Sequence, residues 1–284
     1  MRLLTARLST ARRSRLAGPV VLLLALLLTG GFYAALAPAS AEDAVSEDTV
    51  AQGRELFLVG CSSCHGINGE GITTDDGQYG PSLVGVGAAA VDFQVGTGRM
   101  PMAAPGVQAP DKTVLYTEEE TAALAAYVAS LGPGPAVPDP EMYDPETIPE
   151  EEREEAIVRG GEFFRTNCTA CHNFAASGGA LPGGKYAPSL VGVEPVHIYE
   201  ALITGPQQMP VFSDEVLMPE QKRDIIAYLQ SIEEAPQYGG SSMGALGPVS
   251  EGMYAWIAGI GSLVVFAIWI ASHTARTSRK GAQA

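Results

Sequence analysis

Every cysteine in the chain belongs to one of two copies of the same pattern, Cys-x-x-Cys-His: "CSSCH" at residues 61–65 and "CTACH" at 168–172. Three chemistries use thiols spaced this way. A zinc ribbon needs its two pairs about 15–20 residues apart, whereas Cys64 and Cys168 are separated by more than a hundred residues. A thioredoxin-like redox site needs one such motif at the strand-to-helix turn of a βαβ unit, and the flanking sequence shows no such alternation. The third chemistry is covalent haem attachment, whose signature is C-x-x-C-H. Two cysteines three apart on a short helix reach neighbouring edges of one porphyrin as thioethers, and the next residue, His, is placed to bind iron through an imidazole nitrogen. Two copies predict two covalently bound haem c groups. Cys61 and Cys64 would hold one with His65 on its iron, and Cys168 and Cys171 the other with His172.

The duplication extends beyond the motif. "GRELFLVGCSSCH" aligns with "GGEFFRTNCTACH", and "YGPSLVGVG" at 79 with "YAPSLVGVE" at 186, all at an offset of 107. Near the end of each copy "ALAAYVASL" and "DIIAYLQSI" align at an offset of 101, so the first copy carries about six extra residues before its last helix. Two copies of a long period indicate a duplicated domain rather than a solenoid of short repeats. Each copy opens with apolar residues at helical spacing: Val50, Leu56 and Phe57 in the first, Ile157, Val158, Phe163 and Phe164 in the second. The closing helices begin with a capping-box spacing at Thr117 and Glu120, and with Pro219 in the first turn. Gly- and Pro-rich loops lie between. Units this small have little apolar core of their own, and a covalently held porphyrin would supply the missing surface. Phe57, Phe164, Tyr127 and Tyr228 are expected to pack in those cores.

The paired C-x-x-C-H, the "PSLVGV" loop, the Met-Pro loop and the closing helix resemble two class I cytochrome c domains in tandem. That resemblance implies an all-α fold and a loop methionine opposite His on each iron, which raises the reduction potential and closes the iron to substrates. In the second copy "GPQQMPVF" offers Met209 as that ligand, with Met218 read as packing. In the first, "TGRMPM" offers two: aligning Met-Pro with Met-Pro selects Met100, and the gapless offset selects Met102. Met100 is preferred because the proline shapes the chain around the ligand. His197 has Ala90 as its counterpart and reads as a solvated helix histidine, and His273, at the end of an apolar run, as interfacial.

The ends of the chain point to a membrane. Five arginines and no acid fill residues 1–15, an apolar stretch follows, and small residues lead to Ala41, the layout of a secretory signal peptide long enough to remain as an N-terminal anchor. Residues 252–272, "GMYAWIAGIGSLVVFAIWIAS", carry no charge and are long enough to span a bilayer. Tyr254, Trp256 and Trp269 sit where interfacial aromatics do, and Arg276, Arg279 and Lys280 follow. The positive-inside rule places that tail in the cytoplasm and the haem domains outside. Of 17 Lys and Arg, five precede residue 41 and three follow 275, which leaves nine against all 32 acids and a charge of −23 between them. Nucleic acid is thereby excluded as a partner of the outer domains. The expected organisation is a signal or anchor segment at 1–41, a first domain at 45–132 and a Pro-rich linker at 133–149. A second domain at 150–235, a looser linker at 236–251, the transmembrane helix at 252–272 and a basic tail at 273–284 follow.

With no nucleotide fingerprint and no nucleophile–base pair, the chain reads as an electron carrier rather than a catalyst with its own substrate site. Among tandem cytochromes c, this layout with "TGRMPM" most resembles the dihaem cytochrome c subunit of the actinobacterial cytochrome bcc complex. The resemblance implies an electron-transfer subunit of a menaquinol:cytochrome c reductase, a translocase of the aerobic respiratory chain. Its partners would be a Rieske iron–sulfur protein, a cytochrome b subunit and a haem–copper terminal oxidase. Two readings stay open beside it: a cytochrome subunit of another dehydrogenase or oxidase, and a dihaem enzyme such as a peroxidase.

Overall fold

The computed structural model describes residues 17–36, 46–75, 77–234 and 248–281. The expected signal cleavage near Ala41 and most of the second linker lie outside them. Helix α1 (Ala17–Leu36) forms a unit by itself and is apolar, though shorter than a full span over its described part.

The two copies fold alike. In the first, α2 (Glu47–Gly60) leads into the short α3 (Ser62–His65), a hairpin of β1 (Ile72–Thr74) and β2 (Gly77–Gly80), then α4 (Ala88–Gly96) and α5 (Glu118–Ser130). Helix α6 (Pro140–Tyr143) lies between the copies. The second copy repeats the order as α7 (Glu150–Asn167), α8 (Thr169–His172), β3 (Gly179–Leu181), β4 (Lys185–Ala187), α9 (Pro195–Thr204) and α10 (Pro219–Glu234). The expected all-α class holds. The two antiparallel hairpins were read from sequence only as loops, because strands of three or four residues among glycines carry no periodic signal.

In each copy the opening and closing helices cross at a glycine. A Cβ at Gly53 would collide with the Ala123 carbonyl of α5, and one at Gly160 with the Asp224 carbonyl of α10. Absence of a side chain lets the two backbones meet. Beside each crossing an aromatic pair closes the core: Phe57 and Tyr127 with ring centroids 5.1 Å apart, and Phe164 and Tyr228 at 5.6 Å. Val158, read as part of the apolar face of α7, is instead exposed. The capping box at Thr117 and Glu120 forms as expected.

The Pro-rich segment is packed down rather than extended. The Pro135 carbonyl accepts from the Ala89 N–H of the first domain. Met142 and Tyr143 pack on the second core, Ile148 is buried, and Arg223 donates to the Glu141 carbonyl and the Thr147 hydroxyl. Helix α11 (Pro248–Gly281) contains a continuous apolar stretch, Val249–His273, long enough to cross a membrane and exposed along its length.

Candidate haem-binding sites

Each Cys-x-x-Cys-His begins where a long helix ends. The Cys61 N–H caps α2 through the Phe57 carbonyl, and the Cys168 N–H caps α7 through the Phe164 carbonyl. A short helix then carries the second cysteine and the histidine. The His65 N–H bonds to the Cys61 carbonyl at 3.0 Å, and His172 to Cys168 at 2.9 Å. The chain leaves through positive φ, at Gly66 in one copy and Asn173 in the other, residues that tolerate that region.

Each imidazole is held by a proline carbonyl sixteen residues on. His65 Nδ1 lies 2.7 Å from the Pro81 oxygen, and His172 Nδ1 lies 3.0 Å from that of Pro188. A carbonyl can only accept, so Nδ1 carries the proton and Nε2 keeps its lone pair for a metal. Burial lowers the His172 pKa against the raising effect of that bond, which favours the neutral ring a ligand requires. These two prolines begin the repeated "PSLVGV", so the recurrence in the sequence marks the clamp on the histidine. That the proline carbonyl is the holding atom is not visible in the motif itself.

Before any attachment, burial pushes the Cys61 and Cys168 thiols up to about 11, with the second cysteine of each motif contributing to the rise. A thiol-exchange site needs the opposite shift. Among the described residues, neither Cys–Cys–His set forms a cluster able to hold a bare metal ion. A cavity of about 400 Å³ opens beside Cys168, Cys171 and His172 and is walled by Phe164, Leu202 and Met209. An apolar chamber with two thiols at one wall, a presented imidazole and a thioether suits a haem c.

Met209 packs on the second core together with Cys168, whereas Met218 is about half exposed at the entry of α10. In the first copy Met100 packs on the core that includes Cys61 and Phe57, while the Met102 methyl lies by Gly106 in the outer loop. Lys112 Nζ donates to the Arg99 and Pro101 carbonyls, which flank Met100 on either side.

His197 is not a solvated histidine. Its side chain is 15% exposed, its Nδ1 is hydrogen-bonded to the Glu200 carboxyl at 2.9 Å, and its ring meets Phe93 of the first domain edge-on. Asp92, also of the first domain, completes a cluster with them. Burial pushes the Glu200 carboxyl up to about 7; the His197 hydrogen bond opposes that rise and Asp92 adds to it.

Residues 50–132 match the family model described as cytochrome c, and residues 155–229 match that of cytochrome c oxidase, cbb3-type, subunit III. The chain is 44% identical over 276 residues to the cytochrome bc1 complex cytochrome c subunit of Corynebacterium efficiens, covering 92% of this chain and 90% of the relative. The protein of the same name from Mycobacterium tuberculosis is 43% identical over 265 residues, with 92% of each chain covered. A cbb3-type cytochrome c oxidase subunit FixP from Sinorhizobium medicae is 33% identical over 92 residues, 28% of this chain and 32% of that one.

Proposed function

The chain belongs to the cytochrome c subunits of the actinobacterial cytochrome bc1 complex, and on that premise we propose that it relays electrons from a Rieske iron–sulfur protein and cytochrome b to a haem–copper terminal oxidase. Its work is electron transfer as the c-type subunit of a quinol:cytochrome c reductase, a translocase, with menaquinol as the donor the resemblance implies.

The observation that carries this reading is the duplicated ligand arrangement: two cysteines, an imidazole held through Nδ1 by a proline carbonyl, and a methionine packed on the same core. Haem c bound at each position supplies reversible one-electron Fe(III)/Fe(II) exchange. Cys61, Cys64, Cys168 and Cys171 would attach the two groups, and His65 and His172 would ligate iron through Nε2. Met209 and Met100 would close the opposite side; the packing of Met100 on the first core favours it over Met102. A histidine and a methionine held at each site would leave no place for a substrate, which argues for a carrier over a peroxidase.

The apolar helix would anchor the chain in the membrane, with residues 273–284 in the cytoplasm and both haem domains on the outer face. Residues 1–41 would direct export, as a cleaved signal or as a second anchor. The test is purification in mild detergent. The mature chain should exceed its sequence mass by two haems and should carry a Rieske protein, a cytochrome b and an oxidase with it. One haem, or none, would overturn the dihaem reading, and isolation without a Rieske protein would overturn the assignment to the complex.

A further inference from the structure

The second haem chamber is not built by the second domain alone. Its wall includes Arg99, Gln108 and Lys112, which all come from the loop that follows α4 in the first domain. Two reciprocal amide clamps hold that loop in place. Gln108 donates through Nε2 to the Tyr186 carbonyl at 2.7 Å and accepts from the Tyr186 N–H at 2.8 Å, as a neighbouring strand would on β4. In return Gln207, two residues before Met209, donates to the Ala109 carbonyl and accepts from the Ala109 N–H, both at 3.2 Å. Each domain thus hands a side-chain amide to the backbone of the other, and both clamps lie at the mouth of one cavity.

At that mouth Arg99 is partly buried, with its guanidinium 4.8 Å above the Phe93 ring. Among the described residues no carboxylate lies within ion-pair distance of it. Burial lowers the Arg99 pKa and the charge of Asp111, which also lines the cavity, raises it, but the two do not reach ion-pair distance. This is unusual in a region that carries 32 acids against nine bases. Desolvated charges in proteins are paired, and among the described residues no carboxylate of this chamber pairs with Arg99 at contact distance. A haem carries two propionate carboxylates, and a guanidinium binds a carboxylate through two parallel hydrogen bonds.

We propose that Arg99 of the first domain binds, across the domain boundary, a propionate of the haem attached at Cys168 and Cys171, so that the second site is a composite of both domains. This rests on the dihaem reading above. A cation beside the haem edge stabilises the reduced, less positive iron, so Arg99 is a positioning and tuning residue for the second haem. The Gln108 and Gln207 clamps hold it there, and docking of the domains becomes a condition of the second haem's potential.

The test is a redox titration of the purified full-length chain in its complex, with haem content measured first by mass. The second haem's component is assigned as the one that Met209→His displaces. Arg99→Gln should lower the potential of that component and leave the first haem's in place, and Arg99→Lys should restore part of the shift. The double variant Gln108→Ala, Gln207→Ala keeps Arg99 but frees the loop, and it should lower the same potential. If both haems are attached and only the first haem's potential moves in Arg99→Gln, Arg99 serves the haem of its own domain and the proposal is wrong. If neither moves in either variant, the composite site is wrong. Loss of the second haem from the unmutated chain would instead overturn the dihaem reading itself.

Discussion

At the scale of single residues, the sites depend on what holds each ligand. His172 is buried and its Nδ1 is occupied by the Pro188 carbonyl, so Nε2 is the nitrogen left to ligate. Met209 stands in the same chamber, while Met218 is about half exposed and His197 is bonded to Glu200. Replacing Met209 with Ala should open the second iron, lower its potential and let the reduced protein bind carbon monoxide, seen as a spectral shift at one haem of two. Met100→Ala should do the same at the first haem, and Met102→Ala should not. An unchanged spectrum in Met209→Ala would remove it as a ligand. The cysteines and histidines were legible in the sequence because attachment chemistry demands them in one contiguous pattern. Met100 was harder to separate from Met102, since a ligand supplied by a loop would be fixed by packing and not by register. The two clamping glutamines left no trace, because their partners are backbone atoms of the other domain, and no spacing rule links Arg99 to the second chamber.

At the scale of elements, the contact of α4 with α9 buries groups whose charge depends on pH. Helix α9 presents His197 and the fully buried Glu200, α4 presents Asp92, and Tyr143 of α6 lies near enough for both carboxylates to raise its pKa. The carboxyl of Glu200 is raised from an ordinary carboxylate value to about 7, chiefly by desolvation. A raised acid favours the folded state while protonated. Its contribution is complete below the unfolded value near 4.5 and is lost as pH rises through about 7. That loss amounts to up to about 3 kcal/mol. Thermal unfolding should therefore show a stability that declines from pH 5 to pH 8, and Glu200→Gln should flatten the decline and be the more stable form at pH 8. A slope that persists in the variant would place the titrating group elsewhere. Helix boundaries and caps around this contact were largely legible: the Thr117 box and Pro219 start their helices where the sequence indicated. The contact itself was not. The first copy has Ala90 where the second has His197, so the repeat that exposed the rest of the fold hid this residue.

At the scale of the molecule, the two domains form a series rather than beads on a loose string. The Pro-rich segment is fastened at Pro135 to the first domain and at Met142, Tyr143 and Ile148 to the second. The glutamine clamps add a second fastening on the loop that closes the second chamber. A chain tethered by its own membrane helix cannot shuttle between complexes as a soluble cytochrome does, so donor and acceptor must both dock on it. Tethering supplies the high effective concentration that lets weak surface contacts suffice. Under the proposed relay, electrons enter at the first domain and leave from the second, and the fixed boundary between the domains is the only internal step. Membranes containing the assembly should then oxidise menaquinol with oxygen without added soluble cytochrome c. Replacing His172 with a non-ligating residue should leave the first haem reducible by quinol in optical spectra while oxygen uptake stops. Oxygen uptake that continues with the second haem disabled would mean the oxidase draws directly on the first domain, and the two sites would act in parallel rather than in series.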